Sequence, residues 1–158
     1  MFRGMRRFKQ QLSEEECRKV LSEGKVGVLA VAGDDGYPYT IPLNYQYDTK
    51  SGNLYFHGAA EGHKIDSIRR SGKVSFNVLS DPWKAEGEWW RQFNSVTIFG
   101  RIRIVEEEAL REEELRAIGR KYLPDETHVE EEMRRDAARA CILELCPEHM
   151  TGKHVREK

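Results

Sequence analysis

Two histidines, a lysine and two glycines fall within one short run, Phe56-His57-Gly58-Ala59-Ala60-Glu61-Gly62-His63-Lys64. These residue types suit an anion held beside a ring that titrates near neutral pH. Leu54 to His57 is a brief apolar-aromatic stretch of the kind that forms a buried strand. Gly58, Ala59, Ala60 and Gly62 then remove bulk where the chain must turn and where a ligand could approach the backbone. Ile65 and Ile68 share a helical face, which predicts a helix starting near Gly62 and stopping at Gly72. His63 and Lys64 then lie in its first turn, where free N–H groups and the helix dipole attract anions. Lys64 adds a point charge suited to a phosphate. A lysine near a helix start is also commonly just solvated, so the motif gains weight only from the elements around it.

Those elements read mostly as strands. Tyr39 to Tyr47 alternates, with Tyr39, Ile41, Leu43, Tyr45 and Tyr47 on one face and Thr40, Pro42, Asn44 and Gln46 on the other. Pro42 has no N–H to give to a ladder, so this strand belongs at an edge or carries a bulge. Its polar face is solvated or lines a pocket, and Thr40 with Pro42 and Asn44 favours the pocket. Val26 to Ala32 is apolar on both faces and predicts a fully buried strand, followed by a Gly33–Gly36 turn. Lys73 to Val78 places Ser75 and Asn77 on one side. Ser95 to Val105 is the longest strand, bent at Gly100. Ala140 to Cys146 is the last strand.

Ser13 and Glu16 form a capping-box signature for a helix that Gly24 ends. Glu106 to Tyr122 predicts a second helix with a solvated, charge-laced face, and Val129, Met133 and Ala137 mark a third. Between Asp81 and Asn94 lie Trp83, Trp89 and Trp90, all the tryptophans of the chain. Such a loop is a contact surface, a pocket wall, or a flap folded over the core. About six strands joined mostly by hairpins, with short helices between them, give a mainly β (α+β) fold. An antiparallel barrel flanked by helices fits that pattern best.

The 158 residues suit one domain over 1–158, with 1–11 and 150–158 as peripheral tails. Twenty-six basic against 27 acidic residues leave a net charge of −1, which removes the electrostatic case for nucleic acid. No apolar run is long enough to cross a membrane, and no signal core follows the basic N-terminus, so a cytoplasmic location is expected. Cys17, Cys141 and Cys146 are odd in number and contain no CxxC pair, so neither a disulfide framework nor a metal site is expected.

Read together, GYPYTIPLNYQY (36–47), YFHGAAEGHKID (55–66), KVSFNV (73–78), NSVTIFGRIRIV (94–105) and TGK (151–153) carry a resemblance. With MRR (5–7) and LSEEEC (12–17), they resemble the FMN-binding split-barrel superfamily, the pyridoxamine 5′-phosphate oxidase-like fold. Within it the chain looks most like the nitroimidazole-resistance (Nim) flavoproteins. The resemblance implies a six-stranded split barrel and a homodimer with FMN in clefts between the subunits. It implies Tyr39, Thr40, Ile41 and Pro42 along the flavin ring, His57 and Gly58 approaching it, and His63 and Lys64 at the phosphate. Asn77 and Ser95 would be second contacts, and His63, or else His57, the candidate catalytic proton donor. The implied activity is NAD(P)H-driven reduction of a small oxidant such as a nitro compound. Other readings are a non-catalytic flavin- or haem-carrying protein, with His57 or His63 as axial ligand, and a pyridoxamine-phosphate oxidase proper. EGEWWRQFNSV (86–96) departs from the family pattern where a substrate wall would lie.

Overall fold

Ser13 accepts from the Glu16 N–H (3.2 Å) while the Glu16 carboxylate accepts from the Ser13 N–H (2.7 Å), so the predicted capping box starts α1, Glu14–Glu23. The computed structural model describes residues 1–156. After α1 come β1 (Val26–Ala32), β2 (Pro38–Asn44), β3 (Gln46–Tyr47), β4 (Leu54–Ala59), α2 (His63–Arg70) and β5 (Lys73–Leu79). They are followed by β6 (Gln92–Ile104), α3 (Glu108–Tyr122), α4 (Glu126–Asp136) and β7 (Ala140–Arg156). All seven strands join one antiparallel sheet in the order β2-β1-β5-β6-β7-β4-β3. β2 and β3 end that order at opposite edges, yet only Tyr45 separates them in the chain. The sheet must therefore curl until its edges meet, which produces the split barrel.

The expected single strand over Tyr39–Tyr47 is thus two strands, and the sheet has seven rather than six. Breaking the ladder at Tyr45 strands its backbone groups, and α3 supplies their partners. The Tyr45 N–H donates to Tyr122 Oη (2.9 Å) and the Tyr45 carbonyl accepts from Lys121 Nζ (2.8 Å). The Tyr45 hydroxyl, fully buried, donates to the Leu21 carbonyl at 2.7 Å. Its ring meets Phe76 edge-on at 5.2 Å, and Phe76 meets Phe56 at 5.0 Å. This aromatic stack is the centre of the barrel core.

Other expectations meet the structure segment by segment along the chain. β1 is buried on one face only: Val26 and Val28 are 51% and 41% exposed, and Leu79 and Phe99 are similarly open. These four leave an apolar patch on the outer side of the sheet. The C-terminal tail expected from 150 is strand through Arg156, paired with β6 from Gln92 to Ile98; positions 157 and 158 lie outside the described residues. The N-terminal segment is tied down by a Gln11–Lys153 bridge and by Phe2 stacked on His149 (4.7 Å). The bend expected at Gly100 is a register shift between Phe99 and Gly100. Trp83 and Trp89 are exposed, so the tryptophan loop stands on the surface rather than over the core.

α3 packs on β4 and β7 through a small cluster of Tyr55, Val105, Ile118 and Ile142. Beside it Glu114 is buried, and its Oε2 has no hydrogen-bond partner. Burial first, then Glu113, Asp48 and Glu144, push its carboxyl up to about 7. The folded state therefore binds this proton more tightly than the unfolded chain does. Stability from this group is complete below pH 4.5 and is lost as pH rises through 7. Glu114→Gln should remove that loss, raising thermal stability at pH 8 by roughly 1–3 kcal/mol and changing little at pH 5. An unchanged pH dependence of Tm in the variant would show that Glu114 does not titrate there.

Candidate functional site

Ser13 caps α1 and Asp125 caps α4, whereas α2 and α3 start without a side-chain cap, and of these α2 opens at a glycine, Gly62 with φ +110°. That backbone conformation favours glycine, and the first N–H groups of α2 are left without a side-chain acceptor. Lys64, in that first turn, folds back over β4: a Cβ on Gly58 would lie 2.9 Å from its Nζ. Glycine at 58 thus lets the ammonium lie on the strand backbone. Lys64 is half-buried, and burial holds its pKa below the usual lysine value. Among the described residues it has no hydrogen bond and no carboxylate partner. A desolvated cation at an uncapped helix start is an anion site by charge and by donor geometry.

His63 is held from two sides. Its ring stacks on Tyr39 at 4.2 Å and 13°, and Nε2 lies 3.5 Å from Asp34 Oδ2. Arg70, at the far end of α2, fixes Asp34 with a 2.7 Å contact and also donates to Ser67 Oγ (3.2 Å). Arg70 and then His63 keep the Asp34 carboxyl below its usual range. The Asp34–Gly36 turn, β2 and α2 are therefore clamped together. From sequence Asp34 reads as a turn residue only, and nothing local marks Arg70 as its partner. The GDDG signal explained Asp34 fully without a partner 36 positions away.

His57 lies on the outward side of β4. It keeps more than a third of its surface open, yet the protein around it lowers its pKa, by burial first and then by the Lys64 charge. Its ring is therefore neutral near pH 7. His57 and Gly58 form the floor of a cleft of about 520 Å³ between β4 and the α3–α4 pair. Asn44, on the outer face of β2, reaches the same cleft. Thr40 and Pro42 share that outer face and are exposed, while Tyr39 and Ile41 turn toward the core. β2 is an edge strand, as Pro42 requires.

Asn77 and Ser95 are not part of this group. Asn77 Nδ2 donates to Ser95 Oγ (3.1 Å) and Thr97 Oγ1 (2.9 Å) on the outer face of the sheet. Pro42, Val28, Asn77 and Thr97 follow one another across that face, so Asn77 stands two strands, about 10 Å, from Pro42. Within one chain, then, the structure gathers Tyr39, His57, Gly58, His63 and Lys64 around the β2–β4 split. Asn77 and Ser95 sit by the apolar patch. No cluster of three or more His, Cys, Asp or Glu suited to a metal occurs among the described residues, and no helix among them is long and apolar enough to cross a membrane.

Comparison with known proteins agrees with this architecture. An uncharacterized protein of Rhizobium meliloti is 36% identical over 94 residues, which are 60% of this chain and 56% of that relative. A Mesorhizobium loti structure described as a FAD-binding protein is 27% identical, with a TM-score of 0.67 over 92% of this chain and 96% of the other. A Bacteroides thetaiotaomicron structure described as a candidate 5-nitroimidazole antibiotic resistance protein superposes with a TM-score of 0.77. It covers 92% of this chain and 87% of its own at 18% identity, a likeness of fold. The family described as pyridoxamine 5′-phosphate oxidase matches residues 13–154. With its curled antiparallel sheet and flanking helices, the chain belongs to the pyridoxamine 5′-phosphate oxidase family, in the split-barrel superfamily.

Proposed function

We propose that the chain is a flavoprotein that binds FMN at the β2–β4 split and reduces a small oxidant with electrons from NAD(P)H. The observation that carries this reading is Lys64, a half-buried ammonium without a counter-charge at an uncapped helix start. Membership of a family that handles a phosphorylated cofactor, and likeness to a FAD-binding protein, support a flavin as the missing anion. When bound, the isoalloxazine supplies the redox chemistry. The chain's residues do the rest.

Lys64 and the first N–H groups of α2 hold the phosphate. The β2 backbone from Tyr39 through Thr40, Ile41 and Pro42 lies along the ring, with Thr40 and Pro42 presenting their side chains to it, and His57 and Gly58 close on it from β4. His63 delivers a proton to the reduced product. Asp34 lies at its Nε2, which leaves Nδ1 for the substrate side, and the Tyr39 stack fixes the ring plane. A second copy covers the outer sheet face, where Val26, Val28, Leu79 and Phe99 would otherwise stay wet. In that homodimer Asn77 and Ser95 of one chain reach the cofactor of the other. The three cysteines are free thiols, in keeping with a cytoplasmic setting.

Activity is tested by NADPH oxidation with 2-methyl-5-nitroimidazole as acceptor and the FMN-loaded protein as catalyst. His63→Gln should lower kcat by about 100-fold, the scale of a lost proton donor, while FMN affinity changes only a few-fold. Equal turnover by the variant removes His63 from proton transfer. No acceptor-dependent NADPH or NADH oxidation by the loaded protein would sink the reductase reading.

A further inference from the structure

The far end of β7 lies outside the flavin assignment. There the N-terminal segment, the last residues of β7 and Trp83 enclose a cavity of about 470 Å³, the size of a small-molecule site. Gly58, on which Lys64 lies, pairs with Cys141 at the start of β7, whereas His154 and Arg156 stand at its end. Asn94 lines the cavity, while Ser95, one step along the strand, turns to the opposite face and meets Asn77. The cavity is thus apart from the Lys64 site and from the outer sheet patch.

Trp83 is 40% exposed yet firmly held. Its N–H donates to the Gln92 carbonyl and its carbonyl accepts from the Gln92 N–H, both at 2.8 Å. Its ring lies 5.5 Å from that of His154, whose two nitrogens are taken by Asn94 Oδ1 and Gln92 Oε1 at 2.9 Å each. Gln92 Nε2 donates to Glu88 Oε2 (2.9 Å), which fixes the amide. An open indole backed in this way is a ready platform for another planar ring.

Lys9 and Arg156 line the same cavity, and among the described residues neither has a carboxylate partner. Two such cations suit a phosphate. The one lining acid, Glu16, has its Oε2 engaged by the Ser13 N–H at 2.7 Å. Gln10 Oε1 is buried at this cavity without a donor, so a ligand carrying an N–H or O–H would satisfy it.

We propose that this cavity is a second ligand site and that it takes a purine nucleotide. The base stacks on Trp83, a base amino group or ribose hydroxyl donates to Gln10, and the phosphates meet Lys9 and Arg156. Inorganic phosphate lacks the ring and a nucleoside lacks the charge, so each alone binds weakly. The site does not depend on flavin binding at Lys64.

The test is calorimetric titration of the full chain with ADP, first alone and then in the presence of FMN. One ADP per chain should bind at least tenfold more tightly than adenosine or inorganic phosphate, and FMN should change its affinity less than twofold. Trp83→Ala should weaken ADP binding about tenfold or more, the scale of one lost base stack, with FMN affinity unchanged within twofold. The double variant Lys9→Glu/Arg156→Glu should do the same at two exposed positions, a second readout if the alanine variant folds poorly. No ADP uptake by the parent protein overturns the proposal, as does wild-type ADP affinity in the double variant or in a folded Trp83→Ala. Phosphate binding as tight as that of ADP would reduce the cavity to a general anion patch and overturn it. Displacement of ADP by FMN would give the cavity to the flavin and overturn it as well. If ADP binds as described but FMN does not bind at all, the nucleotide site stands and the flavin assignment falls.

Discussion

Replacing Lys64 by methionine should raise the dissociation constant for FMN by about 10- to 100-fold and leave the fold intact. A hydrogen bond to a charged group contributes roughly 1.5–3 kcal/mol, and every 1.4 kcal/mol is a factor of ten. Methionine keeps the stem that packs across Gly58, so the loss is of charge and not of contact. The sign of the stability change separates this role from a structural one. In the free protein the ammonium is desolvated without a partner, so removing it should leave Tm unchanged or raise it. A lysine held in a native ion pair would lower Tm when removed. Arginine at 64 should keep part of the affinity, since it restores the charge but not the shape. Equilibrium titration by flavin fluorescence, paired with thermal melts of the free proteins, reads both. Wild-type affinity in Lys64→Met would take the phosphate elsewhere.

Gly27→Ala should cost on the order of 1–3 kcal/mol, a Tm lower by roughly 2–12 °C for a chain of this size. A Cβ at 27 would lie 2.2 Å from Cζ of Phe76, whose ring is fully buried. Phe76 cannot step aside, because Tyr45 and Phe56 hold it edge-on. Trimming the obstacle should then help: the double variant Gly27→Ala/Phe76→Leu should lose less than the sum of its two single variants. Strict additivity in thermal melts would mean that the two positions do not touch. β1 also carries the exposed Val26 and Val28, so this variant should weaken self-association as well.

What the sequence made readable was local. Ser13 and Glu16 announce α1 because a capping box closes within four residues. Pro42 announces an edge because proline lacks a donor, and Gly62 with Lys64 announces an uncapped helix start. What stayed hidden depends on distant partners. Tyr45 and Tyr47 continue the alternation of β2 through the corner, so no residue type marks the break. The groups that permit it, Lys121 and Tyr122, come 76 and 77 positions later. Val26 and Val28 read as core because apolar residues on a strand look alike whether they face the interior or an outer patch. Residues 150–156 read as tail because strand β7 there is polar and half-exposed, its pairing set by β6 and not by its own pattern. The candidate site divides in the same way. Gly58 and Lys64 were legible from spacing, whereas the Asp34–Arg70 clamp and the α3–α4 walls of the cleft required the fold.

The most direct test of the flavin assignment is an absorption spectrum of the purified chain followed by an FMN titration read by flavin fluorescence. The expected result is flavin absorption in the visible and saturable binding of one FMN per chain. A haem Soret band, or no FMN uptake at saturating concentration, would contradict it.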